Sequence, residues 1–204
     1  MGEIREAMKN STLEYYDQNA EQFFKTTAEV DFTGTQDRFL RCLAPGSRIL
    51  DLGCGSGRDT RYFLEKGYQV DATDGSAEIC RLASEYTGIP VRQMLFNELD
   101  AEEEYDGIWA CASILHLPEE ELRDVMHRIG TALKEDGIFY TSFKYGDFAG
   151  ERNGRYFRDF TEESFREFLT DFHEFRMTDQ WITSDVRPNR GEERWLNVLL
   201  RRTM

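Results

Sequence analysis

The sequence predicts an α/β fold in which a mostly parallel sheet carries helices on both faces. Three observations lead there. From residue 46 onward strand-like and helix-like segments alternate, and each parallel return needs a crossover of this kind. A glycine-rich turn stands where the first strand should meet the first crossover helix. The tail instead offers two strand-like runs around a Pro/Asn/Gly loop, the pattern of an antiparallel hairpin closing the sheet.

The elements follow in order. Residues 3–43 read as helical, with Leu13, Tyr16, Ala20, Phe23 and Phe24 on one face and Phe39, Leu40 and Leu43 continuing after a break near 31–34. Pro45-Gly46 ends that region, so residues 1–45 are expected as a helical cap or lid on a core at 46–204, in a single compact unit. Strands are expected at 48–52, 68–73, 91–95, 106–112 and 137–143. Helices are expected at 58–66, at 76–86 with Ser76 as cap, and at 118–133 with Pro118 in the first turn. Residues 161–169 read as a helix behind a partly formed capping box at Thr161, and 172–183 and 194–200 as the final hairpin.

Composition narrows the function classes. Of 204 residues, 40% are hydrophobic and 16 more are glycine, a globular level that excludes wholesale disorder. With 39 acids against 25 bases the formal charge is −14. A field of that sign repels phosphate backbones and anionic lipids, so nucleic acid and membrane partners are disfavoured, although a local basic patch can still dock a specific anion. The start MGEIREAMKN has no apolar signal core, and no stretch approaches the roughly 20 apolar residues of a membrane span. Cys42, Cys54, Cys80 and Cys111 are scattered and read as reduced thiols of a cytoplasmic protein. The histidines and cysteines have no metal-ligand spacing, and no metal is expected.

The chemistry begins at Asp51-Leu52-Gly53-Cys54-Gly55-Ser56-Gly57. Glycines at a strand-to-helix junction permit positive φ and close approach of a ligand to backbone N–H groups. Two carboxylates sharpen the signal. Asp51 precedes the first glycine, and Asp74 ends the second strand, where a carboxylate can accept from both ribose hydroxyls. The spacing is G-x-G-x-G rather than the dinucleotide G-x-G-x-x-G, with Arg58 at the third dinucleotide position. An acid at the mouth of the loop repels pyrophosphate but pairs with a cation. S-adenosylmethionine, with its ammonium, sulfonium and ribose, suits these acids better; the bland alternative is a tight turn with no ligand.

The run ILDLGCGSGRDT…VDATDGS resembles the cofactor motifs of class I S-adenosylmethionine-dependent methyltransferases over residues 48 to about 144. The Gly-Arg-Asp-Thr continuation also resembles small bacterial members of the tellurite-resistance type. The family implies a Rossmann-like, seven-stranded, mostly parallel sheet with an antiparallel C-terminal strand, the cofactor lying across the strands' C-terminal edge. By position, Gly53, Cys54, Gly55 and Gly57 would line the methionine and ribose, Asp74 would bind the ribose, and Asp51 would contact the amino-acid end directly or through water. Gly75 and Ser76 would pass under the adenine. Leu95 stands where the family often carries an acid for the adenine amine, leaving Phe96 either as adenine wall or as core.

The residues after the fourth strand, Cys111-Ala112-Ser113-Ile114-Leu115-His116, should face the transferred methyl. The Asn/Asp-Pro-Pro-aromatic motif of amino-group methyltransferases and the Pro-Cys nucleophile of cytosine-ring enzymes are both missing. His116 is a candidate general base, with a helix cap as its bland alternative. Tyr16 either closes over the cofactor or belongs to an apolar helix face. Tyr145, Arg155, Arg187, Arg190 and Trp195 form a candidate anion-reading mouth, unless each arginine pairs with a nearby acid. The leading expectation is methyl transfer by in-line displacement to a small molecule, an anionic one among the options. The alternatives are methylation of a modified tRNA base, a non-catalytic binding module for the same cofactor and, more distantly, a nicotinamide oxidoreductase.

Overall fold

The computed structural model describes residues 2–187 and 190–203, with side chains from Ser11 onward. In chain order the elements are α1 Gly2–Thr27, α2 Thr33–Leu40, β1 Arg48–Leu52, α3 Arg58–Glu65, β2 Gln69–Asp74, α4 Ala77–Thr87, β3 Val91–Gln93, β4 Tyr105–Ala110, α5 Glu119–Ala132, β5 Leu133–Lys144, β6 Ala149–Arg152, β7 Arg155–Arg158, α6 Glu162–Leu169, β8 Phe175–Ser184 and β9 Arg194–Arg202. Short 3₁₀ turns at Phe96–Glu98 and Ile114–His116 follow β3 and β4. Among the described residues no helix is long and apolar enough to cross a membrane.

The main sheet has seven strands in the order β3-β2-β1-β4-β5-β9-β8. β9 is antiparallel to both of its neighbours, and the other pairings are parallel. Period-two alternation sorts the side chains between the faces. Leu50 and Leu52 of β1 join the core with Ile108, Phe139 and Phe143 under α5 and α6. Ile49 and Trp109 turn the other way, packing with Phe39 of α2 and Phe63 of α3, while Trp109 and Tyr140 stack at 3.8 Å between ring centroids. Asp51 therefore lies on the Trp109 face, its register partner across β4.

Helix caps follow their local chemistry. Ser76 Oγ accepts from the Ile79 N–H at the start of α4, as the sequence predicts. At α6 the capping box is completed by Ser164: its N–H donates to Thr161 Oγ1, and its hydroxyl oxygen accepts from the Thr161 N–H. Differences arise where neighbours outweigh local pattern. β3 stops at Gln93 because the Glu98 carboxylate accepts from the Leu95 N–H and turns the chain into a 3₁₀ turn. β8 starts at Phe175 rather than at 172, because Phe172 is buried in the turn after α6.

The sequence reading missed the separate β6–β7 hairpin. Its turn, Asn153-Gly154, has φ of +52° and +74° at the two central residues, the geometry of a type I′ turn. Asn-Gly between short alternating runs carries that signal. We predict that Gly154→Ala, which puts a Cβ on a left-handed backbone at a cost of about 1 kcal/mol, speeds amide exchange across the hairpin about fivefold. Hydrogen-exchange mass spectrometry on Ala149–Arg158 measures this, and unchanged protection would contradict the turn geometry.

Candidate functional site

A cavity of about 920 Å³ opens at the C-terminal edge of the parallel strands, between the β1–α3 loop, α1 and the β6–β7 hairpin. The loop is drawn tightly into the fold. Gly53 has φ +77°, and a Cβ there would meet Ser113 Cβ at 2.5 Å and Phe96 Cε1 at 3.1 Å. At Gly55, φ +56°, a Cβ would sit 3.0 Å from the Phe23 ring of α1. Both positions require glycine, because backbone and cavity wall are in contact there.

Asp74 faces the loop from the end of β2. Its Oδ2 accepts from the Gly55 N–H at 3.0 Å and its Oδ1 from the Ser76 N–H at 3.0 Å. Burial pushes its pKa above the usual carboxylate value, and these backbone donors oppose the rise. Each oxygen keeps a further lone pair for a ligand hydroxyl.

Several residues expected at the site fall elsewhere. Asp51 is buried beneath the loop and does not line the cavity, because its position in β1 points it at the Trp109 face; Thr60 Oγ1 donates to it at 2.5 Å. Burial and the neighbouring Asp59 charge raise its pKa. Its described hydrogen bond is therefore made under the loop rather than on the cavity wall. Gly57 is also outside the wall, packed where a Cβ would meet Thr87 Cγ2 at 2.6 Å. Ser76 caps α4 and bonds Asp17, and Tyr145 bonds Glu162 at 3.3 Å while lying against Arg194, so neither lines the cavity. Gly53, Cys54, Gly55, Asp74, Gly75, Leu95, Phe96, Cys111, His116 and Tyr16 do line it.

On the far wall the arginine reading divides. Arg187 forks onto Asp185, and Arg190 lies 3.6 Å from Glu193, so both have the acidic partners of the alternative reading. Trp195 Nε1 donates to the same Asp185 at 3.1 Å. Arg155 reaches instead toward α1, where its Nη1 donates to the Tyr16 hydroxyl at 3.2 Å.

Tyr16 also lies 2.9 Å from His116 Nε2, while His116 Nδ1 lies 2.7 Å from the Tyr156 carbonyl oxygen. A carbonyl only accepts, so Nδ1 carries the proton, and Nε2 is the lone pair that receives the Tyr16 O–H. Burial lowers the His116 pKa to about 4, with the Arg155 and Lys144 charges adding to the effect and the Tyr156 contact opposing it. The imidazole is neutral throughout the physiological range. Burial also raises the Tyr16 pKa, keeping the phenol protonated.

Sequence reasoning missed Asp59, which lines the cavity beside Arg58. Arg58 forks onto it at 2.8 and 2.9 Å, Gln36 Nε2 donates at 2.7 Å, and Trp109 Nε1 at 2.9 Å. This one buried carboxylate ties α2, α3 and β4 together. Its adjacency to Arg58 was visible in the sequence, but its long-range donors were not. Ala112, with φ +50° just after β4, is a left-handed non-glycine residue on the wall, its N–H held by Ser142 Oγ at 2.9 Å.

A glycine loop facing an acid at the next strand's tip defines a nucleotide-binding α/β protein, and comparison with known proteins narrows the class. A methyltransferase-domain family model matches residues 49–137. An uncharacterized methyltransferase of Staphylococcus carnosus is 27% identical over 130 residues, covering 60% of this chain and 63% of the relative. A ubiquinone biosynthesis O-methyltransferase of Nitrobacter winogradskyi is 33% identical over 110 residues, covering 52% of this chain and 41% of the relative. The chain thus spans less than two thirds of these curated relatives. Among solved structures, the 1,6-didemethyltoxoflavin-N1-methyltransferase of Burkholderia thailandensis, with bound 1,6-didemethyltoxoflavin and S-adenosylhomocysteine, superposes with a TM-score of 0.78 at 27% identity. That match covers 100% of this chain and 90% of that one. Over residues 49–137 the chain is similar to the methyltransferase-domain family, and over its whole length to a methyltransferase solved with S-adenosylhomocysteine bound. Nothing in these matches supports the narrower likeness to the tellurite-resistance type.

The histidine geometry yields a prediction. The folded chain holds His116 neutral down to about pH 4, whereas the unfolded imidazole protonates near its ordinary 6.5. Between those values the unfolded state binds the extra proton, so stability falls as pH drops through this window. His116→Gln should flatten the acid slope of the unfolding free energy by about one proton. Urea titrations from pH 7 to 4 measure it, and an unchanged slope would contradict a neutral buried His116.

Proposed function

We propose that the protein transfers a methyl group from S-adenosylmethionine to a small-molecule acceptor, one carrying an acidic group. The observation that carries this reading is Asp74, fixed across from the glycine loop by the Gly55 and Ser76 N–H groups with lone pairs left over. The residues present fit the cofactor. Positive φ at Gly53 and Gly55, with a Cβ at Gly53 excluded by Ser113 and one at Gly55 tight against Phe23, leaves backbone against the cavity, where the methionine portion would lie. Asp74 would take both ribose hydroxyls, and Met94, Leu95 and Phe96 would supply an apolar adenine wall. When bound, the sulfonium supplies an activated methyl carbon.

The chain's own side chains do the remaining work. The cavity continues from Cys111 past Ser113 and His116 to Lys144, Arg155 and Trp195, a space for the acceptor beyond the nucleoside. Its size lies within the range of pockets that enclose small ligands. The His116 lone pair, fixed by the Nδ1–H contact with Tyr156, can take a proton from an acceptor directly or through the Tyr16 hydroxyl. α1 acts as a lid, with Leu13, Tyr16 and Phe23 on the cavity wall. The names of the toxoflavin-precursor and ubiquinone relatives, both of small-molecule methyltransferases, support an acceptor of that size.

Two measurements test the reading. Asp74→Ala should weaken S-adenosylhomocysteine binding tenfold or more by calorimetry, since a bidentate contact of about 1.5–3 kcal/mol is lost. Methyl-labelled cofactor incubated with a metabolite extract should lose label to a small product, and His116→Ala should slow that transfer while cofactor affinity stays unchanged. Tight cofactor binding with no label leaving would replace the enzyme reading with that of a binding module.

A further inference from the structure

The cavity carries a cation whose partners differ from those of its neighbours. Arg58 is bound to Asp59, Lys144 to Glu193, Arg152 to Asp159 and Arg187 to Asp185, and Arg190 lies near Glu193. Arg155 has no carboxylate within ion-pair distance among the described residues. Its guanidinium rests 4.2 Å from the Tyr15 ring centroid, 5.1 Å from that of Phe157 and 5.6 Å from that of Tyr16. Ring faces stabilise the charge but accept none of its in-plane N–H donors. Of those donors Nη1 is used on the Tyr16 hydroxyl, and Nε is buried with no acceptor. A half-buried guanidinium with donors to spare, on a cavity wall of a protein carrying −14, is a built-in demand for an anion.

The neighbouring hydrogen bonds say what kind of anion. With Nδ1–H committed to the Tyr156 carbonyl, the chain runs one way: Arg155 N–H to the Tyr16 oxygen, then Tyr16 O–H to His116 Nε2. Tyr16 can turn its proton from Nε2 toward an incoming anion without leaving its place against Arg155. The surrounding walls are aromatic, with Phe23, Phe96, Phe157 and Trp195, and they suit a flat conjugated body. Asp185 and Glu193 on the same wall are already matched by Arg187 and by Lys144 and Arg190, so the one spare guanidinium is left to meet a single negative charge.

We propose that Arg155 and the Tyr16 hydroxyl form an anion subsite that binds the acceptor as its conjugate base, the acceptor being a small conjugated acid of the phenol, enol or ring N–H kind. On binding, the acceptor's O–H or N–H bond breaks, the electron pair stays on oxygen or nitrogen, and the proton leaves to solvent, with His116 Nε2 as a way station. The inference rests on the methyl-transfer reading for the identity of the space beyond the nucleoside. It makes Arg155 a specificity residue and gives the β6–β7 hairpin a function.

The test uses 4-nitrophenol, 4-hydroxybenzaldehyde and 7-hydroxycoumarin, whose absorbance reports ionisation, titrated into protein saturated with S-adenosylhomocysteine at a pH below each free phenol's pKa. At least one should bind with growth of its phenolate band, its ionisation shifted by a factor of ten or more. Arg155→Gln should abolish that shift while S-adenosylhomocysteine affinity stays within twofold, Arg155→Lys should keep part of it, and Tyr16→Phe should reduce it severalfold. The retained cofactor affinity shows that the variants are folded. Binding of all three phenols in neutral form, equal shifts in Arg155→Gln, or no binding of any of them to protein that binds S-adenosylhomocysteine overturns the subsite and leaves the cofactor reading standing. Failure of the wild type to bind S-adenosylhomocysteine overturns both.

Discussion

The site depends on how closely the β1–α3 loop approaches the end of β2. The Gly55 N–H and the Asp74 carboxylate meet at 3.0 Å, and the Gly53 and Cys54 N–H groups meanwhile donate to the Thr73 carbonyl at 2.9 and 2.8 Å. These bonds fold the loop back over the neighbouring strand, and only positive-φ glycines allow the turn. Ser113 and Phe96 then close against Gly53, and Phe23 of α1 against Gly55, so the walls are positioned by contact with bare backbone. A Cβ at Gly53 would collide with Ser113, and one at Gly55 would press on the Phe23 ring, each on a left-handed backbone that favours glycine.

Beneath that loop two buried carboxylates behave differently because their donors differ. Asp59 receives Arg58, Gln36 and Trp109, a set that neutralises and saturates it. Asp51 receives the Thr60 hydroxyl, lies close to the Asp59 charge, and has its pKa raised by burial. Burial and the Asp59 charge thus bias Asp51 toward its protonated form, while Arg58 is committed to Asp59. The same rule of local neutralisation runs along the far wall, where Arg152 meets Asp159, Arg187 meets Asp185, and Lys144 and Arg190 share Glu193. Positive potential is thus concentrated at Arg155, in a molecule whose long-range field is negative.

Much of this was legible in the residues. The alternation after Pro45-Gly46, the glycine loop and Asp74 located the sheet and its C-terminal edge, because periodicity and turn chemistry are local signals. The Ser76 cap and the break in the N-terminal helical region near 31–34 are local as well. What escaped was set by tertiary partners. The facing of Asp51 follows from strand parity and from which helix covers which face, and a sequence window does not contain the second fact. Among the candidate arginines, Arg187 and Arg190 meet acids two and three residues away, whereas the hydroxyl that takes Arg155 lies 139 residues off and was outside any local window. The β6–β7 hairpin is the exception: Asn153-Gly154 signalled it locally, and the reading of its arginines as part of an anion-reading mouth obscured the turn.

The contact between α1 and that hairpin explains why the two segments least expected to cooperate share one wall. Tyr16 lies 100 residues from His116 and 139 from Arg155, and its single hydroxyl joins both. Thr12 adds a further link, its hydroxyl accepting from the Tyr156 N–H at 3.4 Å. Polar contacts between two surface elements are individually worth about 1 kcal/mol, so such a closure is reversible on the energy scale of ligand binding. A ligand that takes over one of these hydrogen bonds exchanges partners with little loss, whereas one that leaves Arg155 and Nε2 both unsatisfied must break the closure at full cost. On the proposed function, discrimination among acceptors would rest on the same bonds that hold the helix over the cavity, so that Tyr16 near the start of the chain and Arg155 on the hairpin act on one ligand.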